Sequence, residues 1–200
     1  MNHFDVETLP VSPWRNGGGE TREIASGPAG SEGPAPAAAW GWRASIATIA
    51  QDGPFSVFPG VDRSITLLSG DGVRLVGEGG VDHLLVRAGE PFAFPGDIAL
   101  GATLTGGSSR DFNIMTRRGG WAADVRRVTG PATPPPGHAG VFYVLQGTWS
   151  YDGTVLAAGH GVWWPHDSAH SPATAAPASP DAAALWADIR PAPDAGPAEG

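Results

Sequence analysis

Ser64-Ile65-Thr66-Leu67-Leu68-Ser69-Gly70-Asp71-Gly72-Val73-Arg74-Leu75-Val76 is the stretch that decides the fold class. Two short runs of β-branched and aliphatic residues flank a turn carrying two glycines, so the segment reads as strand, tight turn, strand. The same punctuation extends outward in both directions. Upstream, Trp42, Ala44, Ile46 and Thr48 alternate with Arg43, Ser45, Ala47 and Ile49, a period of two. Asp52-Gly53-Pro54 then reads as a turn and Phe55–Phe58 as a short strand stopped by Pro59-Gly60. Downstream come strands at His83–Val86, Phe92–Phe94, Ile98–Leu104 and Asp111–Thr116, separated by Gly- and Pro-bearing turns. A parallel α/β fold needs helical patterns of ten or more residues between strands, and the sequence has none here. The predicted class is all-β, a sandwich or barrel.

The second half repeats the theme. Val141–Leu145, Thr148–Tyr151, Thr154–Leu156 and Val162–Trp164 form a predicted meander, and Ala184–Arg190 a strand returning to a sheet. Leu67-Leu68-Ser69-Gly70 corresponds to Val144-Leu145-Gln146-Gly147. Arg87-Ala88-Gly89-Glu90 through Phe94-Pro95 corresponds to Ala157-Ala158-Gly159-His160 through Trp164-Pro165. A duplicated β unit of this kind predicts two stacked jelly-roll halves. The first spans 1–130, with a mobile insertion at 27–39 (GPAGSEGPAPAAA). A smaller second half spans 131–190, with Pro134-Pro135-Pro136 as the crossover, and 191–200 is expected to be a disordered tail.

Composition narrows the function classes. With 200 residues the chain can bury a sizeable core, and 30 Gly and 20 Pro suit short strands better than helices. A net charge of -8 argues against a nonspecific nucleic-acid binder but leaves room for a local basic pocket. The absence of cysteine removes disulfides, thiol nucleophiles and thiolate metal sites. The first residues lack the features of a secretory signal, and no apolar run is long enough for a membrane helix, so a soluble cytoplasmic protein is expected.

Trp14-Arg15-Asn16-Gly17-Gly18-Gly19-Glu20-Thr21 carries the strongest functional signal. Three consecutive glycines among polar and aromatic residues suit either a flexible hairpin turn or a backbone brought close to another group. On the strand at 111–117, Asp111, Asn113, Met115 and Arg117 share one face, and Phe112, Ile114 and Thr116 the other. Phe112 and Ile114 belong in a core between sheets, so Asp111 and Asn113 line either solvent or a barrel interior. Arg43 and Arg63 are each an exposed charge, one half of an internal pair with Asp62 or Asp111, or an anchor for a bound anion. The six histidines include no His-x-His pair with a nearby Glu, and His166 and His170 read as surface-loop residues. There is no Gly-x-Ser-x-Gly elbow or phosphate-binding loop, and neither Glu20 nor Glu23 has an evident acidic partner.

Three segments together resemble the HutD/Ves family: Trp14-Arg15-Asn16-Gly17-Gly18-Gly19 with Thr21 and Glu23-Ile24; Phe58-Pro59-Gly60 with Asp62-Arg63; and Asp111-Phe112-Asn113 with Met115 and Arg117-Arg118-Gly119. The resemblance implies a cupin-type fold of two jelly-roll halves (a bicupin) without a metal motif. It further implies, for HutD members, a modulator associated with histidine-utilisation genes that binds a formylglutamate- or urocanate-like metabolite. Ves members are described only as stress-induced, and nothing in the chain separates the two roles. The expected ligand-binding set is Asn16, Gly17, Gly18, Gly19, Thr21, Arg43, Ser45, Asp62, Arg63, Asp111 and Asn113, with no cofactor and no metal. The expected partner is a small anionic metabolite, neither nucleic acid nor membrane, with a homodimer left open. The alternative is a metal-independent cupin enzyme, an isomerase or hydrolase of a small acid or sugar, with Glu23 or Asp111 as base.

Overall fold

The computed structural model describes residues 1–28, 40–166 and 173–192. Most of the expected insertion (29–39), most of the expected tail (193–200) and His170 lie outside the described residues. The chain is all-β. Its strands are β1 (Asn2–Asp5), β2 (Val11–Pro13), β3 (Gly19–Pro28), β4 (Trp40–Ile49), β5 (Gly53–Pro54), β6 (Val61–Ser69), β7 (Val73–Gly77), β8 (Asp82–Leu85) and β9 (Pro91–Pro95). They continue with β10 (Leu100–Leu104), β11 (Ser109–Arg117), β12 (Trp121–Val128), β13 (Ala139–Gln146), β14 (Thr148–Tyr151), β15 (Thr154–Ala157), β16 (His160–Trp164), β17 (Ala176–Pro177) and β18 (Ala183–Pro191). No helix among the described residues is long and apolar enough to cross a membrane.

Hydrogen bonding gathers these strands into four open sheets. Their orders are β5-β10-β7-β8, β2-β3-β4-β11-β6-β9, β1-β16-β13-β18-β12 and β15-β14-β17. Closed barrels are not seen: no sheet closes on itself among the described residues. Three apolar cores lie between successive sheets. Ile49, Ile65 and Leu67 pack against Val73, Leu75, Leu85 and Leu100 between the six- and four-stranded sheets. Trp42, Ala44, Ile46, Phe112 and Ile114 meet Val141, Tyr143, Leu185 and Ile189 between the six- and five-stranded sheets. Phe142, Val162, Trp164 and Trp186 meet Trp149, Tyr151 and Leu156 between the five- and three-stranded sheets. The period-two pattern of β4 and β11 therefore serves two cores. One set of alternate residues joins the two sheet pairs, and the other faces into the first pair.

The internal repeat is visible in the strand order. β4-β11-β6-β9 in the six-stranded sheet has the same succession as β12-β18-β13-β16 in the five-stranded sheet. The aligned turn glycines Gly70 and Gly147 both have positive φ, +105° and +68°, where the chain leaves one sheet for the sheet that faces it.

Three features were not read from the sequence. β1 pairs with β16 and β12 with β18, so both ends of the first 130 residues are hydrogen-bonded into the five-stranded sheet. β3 runs through Gly27 and Pro28, which pair with Trp42 and Trp40. Phe55–Phe58, expected as a strand, is irregular: Gly53 and Pro54 pair with Ala102 and Gly101, Phe55 N donates to Leu100 O at 2.7 Å, and the chain then leaves the sheet. That departure carries Phe55 and Phe58 over the side chain of Arg63.

Candidate functional site

Strand register brings the polar residues of β4, β6 and β11 into rows on the inner face of the six-stranded sheet. Met115 sits between Arg43 and Arg63, Asn113 between Ser45 and Ile65, and Asp111 between Ala47 and Leu67. Of the two alternatives for the Asp111/Asn113 face, the structure shows both residues buried rather than in solvent, with Phe112 and Ile114 drawn to the opposite core. The first two rows open into a cavity of about 490 Å³. Its volume falls within the range of small-molecule sites.

One side of the cavity is made by the turn between β2 and β3. Trp14 N donates to Gly19 O at 2.9 Å and Gly17 N to Trp14 O at 3.0 Å, closing a turn in which Gly17 has φ +71°. Gly18 N donates to Asn16 Oδ1 at 3.0 Å, and Gly18 O accepts from Ala50 N at 2.9 Å. Trp14 Nε1 donates to Thr21 Oγ1 at 2.8 Å, which fixes the indole at the cavity wall. Gly19 is needed for a different reason, because a Cβ there would overlap the Thr48 carbonyl oxygen and press on the Trp14 ring. Gly19→Ala should therefore cost roughly 1–3 kcal/mol. In a chain of this size each kcal/mol lowers the melting temperature by about 2–4 °C, so thermal melts read the effect. An unchanged melting temperature would contradict the close approach.

The opposite wall is aromatic and cationic. The Arg63 guanidinium lies 5.0 Å from the Phe94 ring centroid, 5.3 Å from Phe55 and 5.4 Å from Phe58. Its hydrogen bonds are long, 3.4 Å to Asn113 Oδ1 and 3.4 Å to Ser56 O, and its Nε is shielded from solvent without a partner. Burial, and then the charge of Arg43, pull its pKa down to about 10, which still leaves it cationic at neutral pH. No carboxylate among the described residues pairs with it. The two acids expected as internal partners are engaged elsewhere. Asp62 is half-exposed and bound to Arg118 at 2.7 Å. Asp111 is fully buried and accepts from Ser109 Oγ at 2.9 Å. Arg43 does have an acid: its Nε donates to Glu23 Oε2 at 2.7 Å, and Glu23 Oε1 accepts from Ser26 Oγ at 2.9 Å.

Of the expected site residues, Asn16, Thr21, Arg43, Ser45, Arg63 and Asn113 line this one cavity. Gly17, Gly18 and Gly19 shape the turn that forms its rim but lie off the wall. Asp62 is on an exposed ion-pair cluster with Arg118 and Asp97. Asp111 continues the row pattern beyond Asn113, with Oδ1 unpartnered, and burial pushes its carboxyl up to about 7. Trp14, Arg15, Phe55, Phe58 and Met115 were missed as wall residues. Arg15 adjoins Asn16 in the glycine-rich stretch and Met115 shares the Asn113 face, so both signals were present. For Phe55 and Phe58 no local signal distinguishes a strand from a loop that folds back. Among the described residues, no group of three or more His, Cys, Asp or Glu side chains is placed so that it could hold a metal ion.

A chain with net charge -8 thus places three arginines, and no acid among the described residues, on the wall of a cavity. Comparison with known proteins gives this geometry a context. A family model described as HutD matches residues 6–182. Protein Ves of Cronobacter sakazakii is 44% identical over 169 residues, covering 84% of this chain and 89% of the relative. Among solved structures, HutD from Pseudomonas fluorescens SBW25 in a formate condition superposes with a TM-score of 0.81 at 24% identity, covering 96% of this chain and 99% of that one. A cupin 2 conserved barrel domain protein from Leptotrichia buccalis superposes with a TM-score of 0.58 at 12% identity, covering 95% and 97%, which extends the fold likeness to cupins.

Proposed function

Because this chain belongs to the HutD/Ves family, we propose that it binds a small carboxylate metabolite in the cavity of its first sheet pair and acts as a regulatory binding protein. The ligand class is formylglutamate- or urocanate-like, linked to histidine utilisation or to a stress response. The observation that carries the reading is Arg63, a largely desolvated guanidinium facing a cavity whose wall has no carboxylate among the described residues. A cation in that setting gains most from an anion that replaces its lost hydration. A ligand carboxylate would accept charge-assisted hydrogen bonds from Arg63, with the Ser45 hydroxyl and Asn113 amide beside it and Trp14, Phe55 and Phe58 covering its carbon frame.

On this proposal the two sheet pairs are the two jelly-roll halves of a bicupin, with binding confined to the first. Trp149, Tyr151, Trp164 and Trp186 pack the space between the second pair of sheets with aromatic rings. The enzyme reading is weaker because its bases are misplaced. Asp111 is off the cavity wall, and Glu23 is held by Arg43 and Ser26.

Thermal shift with formate, N-formylglutamate, urocanate and glutamate tests the proposal. A true ligand at 100 times its Kd should stabilise the fold by about 2.7 kcal/mol, a rise of roughly 5–11 °C in a chain of this size. If none of the four acids moves the midpoint, the carboxylate reading is overturned.

A further inference from the structure

The placement of arginines around the cavity goes further than one carboxylate. The chain has twelve arginines and no lysine. Eight of them have a carboxylate within salt-bridge distance: Arg22, Arg43, Arg74, Arg87, Arg110, Arg118, Arg126 and Arg190. Among the described residues the four without one are Arg15, Arg63, Arg117 and Arg127. Arg117 donates to the Trp40 carbonyl and lies over the Trp40 ring. Arg15 and Arg63 line the same cavity.

Their positions differ in depth. Arg63 is held among three phenylalanine rings, whereas Arg15 is exposed at the corner of the β2–β3 turn. The turn that carries Arg15 is not loose. It is closed by the Trp14–Gly19 and Gly17–Trp14 backbone bonds and tied to the end of β4 through Gly18 O. β2 and β6 are separated in the sheet by β3, β4 and β11, four inter-strand steps, or roughly 19 Å along the sheet. Arg15, just beyond β2, and Arg63, on β6, both line the cavity across that span, which leaves room for a short, extended molecule. Arg43 lies between them with its charge offset by Glu23. The uncompensated charge is therefore at the two ends of the cavity.

We infer that the cavity selects α,ω-dicarboxylates over monocarboxylates, with one carboxylate on Arg63 and the second at the mouth on Arg15. The inference rests on the carboxylate-binding reading of the same site and adds to it a second charged end and a specificity residue. A urocanate-like acid, with one carboxylate, would fill only the inner position, and a formylglutamate-like acid would fill both.

The test is titration calorimetry at low ionic strength with two series of matched carbon number: succinate, glutarate and adipate against butyrate, valerate and hexanoate. At least one dicarboxylate should bind about 5- to 10-fold more tightly than its monocarboxylate match, and the difference should shrink as salt screens the exposed Arg15. Arg15→Gln should bring that dicarboxylate down to the affinity of its match, while Arg63→Met should abolish binding of both. Equal affinity of the two series in the parent, both lost in Arg63→Met, would overturn the inference and leave the carboxylate site standing. A preference for dicarboxylates that survives Arg15→Gln would also overturn it as stated, because the second end would then lie elsewhere. No binding of any acid in either series would overturn the underlying reading as well.

Discussion

Arg63→Met is expected to abolish carboxylate binding and to leave a fold at least as stable as the parent. Loss of one partner from a desolvated, hydrogen-bonded charge pair costs about 2–5 kcal/mol, or roughly 30- to 4,000-fold in affinity. The stability effect has the opposite sign. Among the described residues Arg63 has no carboxylate, only two 3.4 Å hydrogen bonds and the faces of Phe55, Phe58 and Phe94 to offset its lost hydration. Each cation–π contact contributes about 0.5–2 kcal/mol, against a desolvation cost of several kcal/mol for the ion. Methionine keeps the apolar contacts without the charge. The ligand-free variant should therefore be more stable by roughly 1–3 kcal/mol, seen as a rise of several °C in the melt. A variant that keeps its affinity would remove the anchor from the account. One that is less stable than the parent by more than about 1 kcal/mol would show that the guanidinium is there for the fold.

Asp111→Asn is expected to flatten a pH dependence of stability and to stabilise the protein at pH 8. The Asp111 carboxyl titrates at 3.8 when unfolded and is pushed up to about 7 in the fold, chiefly by burial and against the opposing hydrogen bond from Ser109. For an acid shifted upward the folded state holds the proton longer. Stability is therefore full below about pH 4, falls as pH rises from about 4 to about 7, and is flat above that. At 1.36 kcal/mol per pH unit the whole fall is roughly 4 kcal/mol. Asparagine has no such titration, but its amide must find an acceptor beside Ser109, and an unmet group costs about 1–3 kcal/mol. The net gain at pH 8 should be roughly 1–3 kcal/mol. Denaturant melts of parent and variant at pH 5 and pH 8 measure it. The same slope in both proteins would place the titrating group elsewhere.

How much of this was legible in the sequence depends on whether the signal was local. Alternation is local, so β4 and β11 and the split between the Phe112/Ile114 and Asp111/Asn113 faces could be read directly. The corresponding turns at Gly70 and Gly147 could be read because both need a positive φ, which glycine adopts at no steric cost. Partner choice is not local. Nothing in Asp62-Arg63 says that Asp62 turns out to Arg118 while its neighbour turns in to the cavity, although adjacent strand residues must point to opposite faces. Glu23 as the partner of Arg43 needs the β3–β4 register, which a bulge between Glu23 and Ala25 shifts. Phe55–Phe58 has a strand's composition, yet the chain leaves the sheet after Phe55. The exchange of β1 and β12 into the second sheet pair follows from long-range pairing, for which Met1–Asp5 and Trp121–Val128 carry no marker.

A crystal structure of the protein grown with glutarate at saturating concentration tests the central claim most directly. The account predicts a carboxylate group with its oxygens about 2.7–2.9 Å from the guanidinium nitrogens of Arg63, its carbon chain against Trp14 and Phe55, and Glu23 still on Arg43. A carboxylate bound elsewhere with the Arg63 cavity empty, or a protein carboxylate swung onto Arg63 in its place, would contradict it.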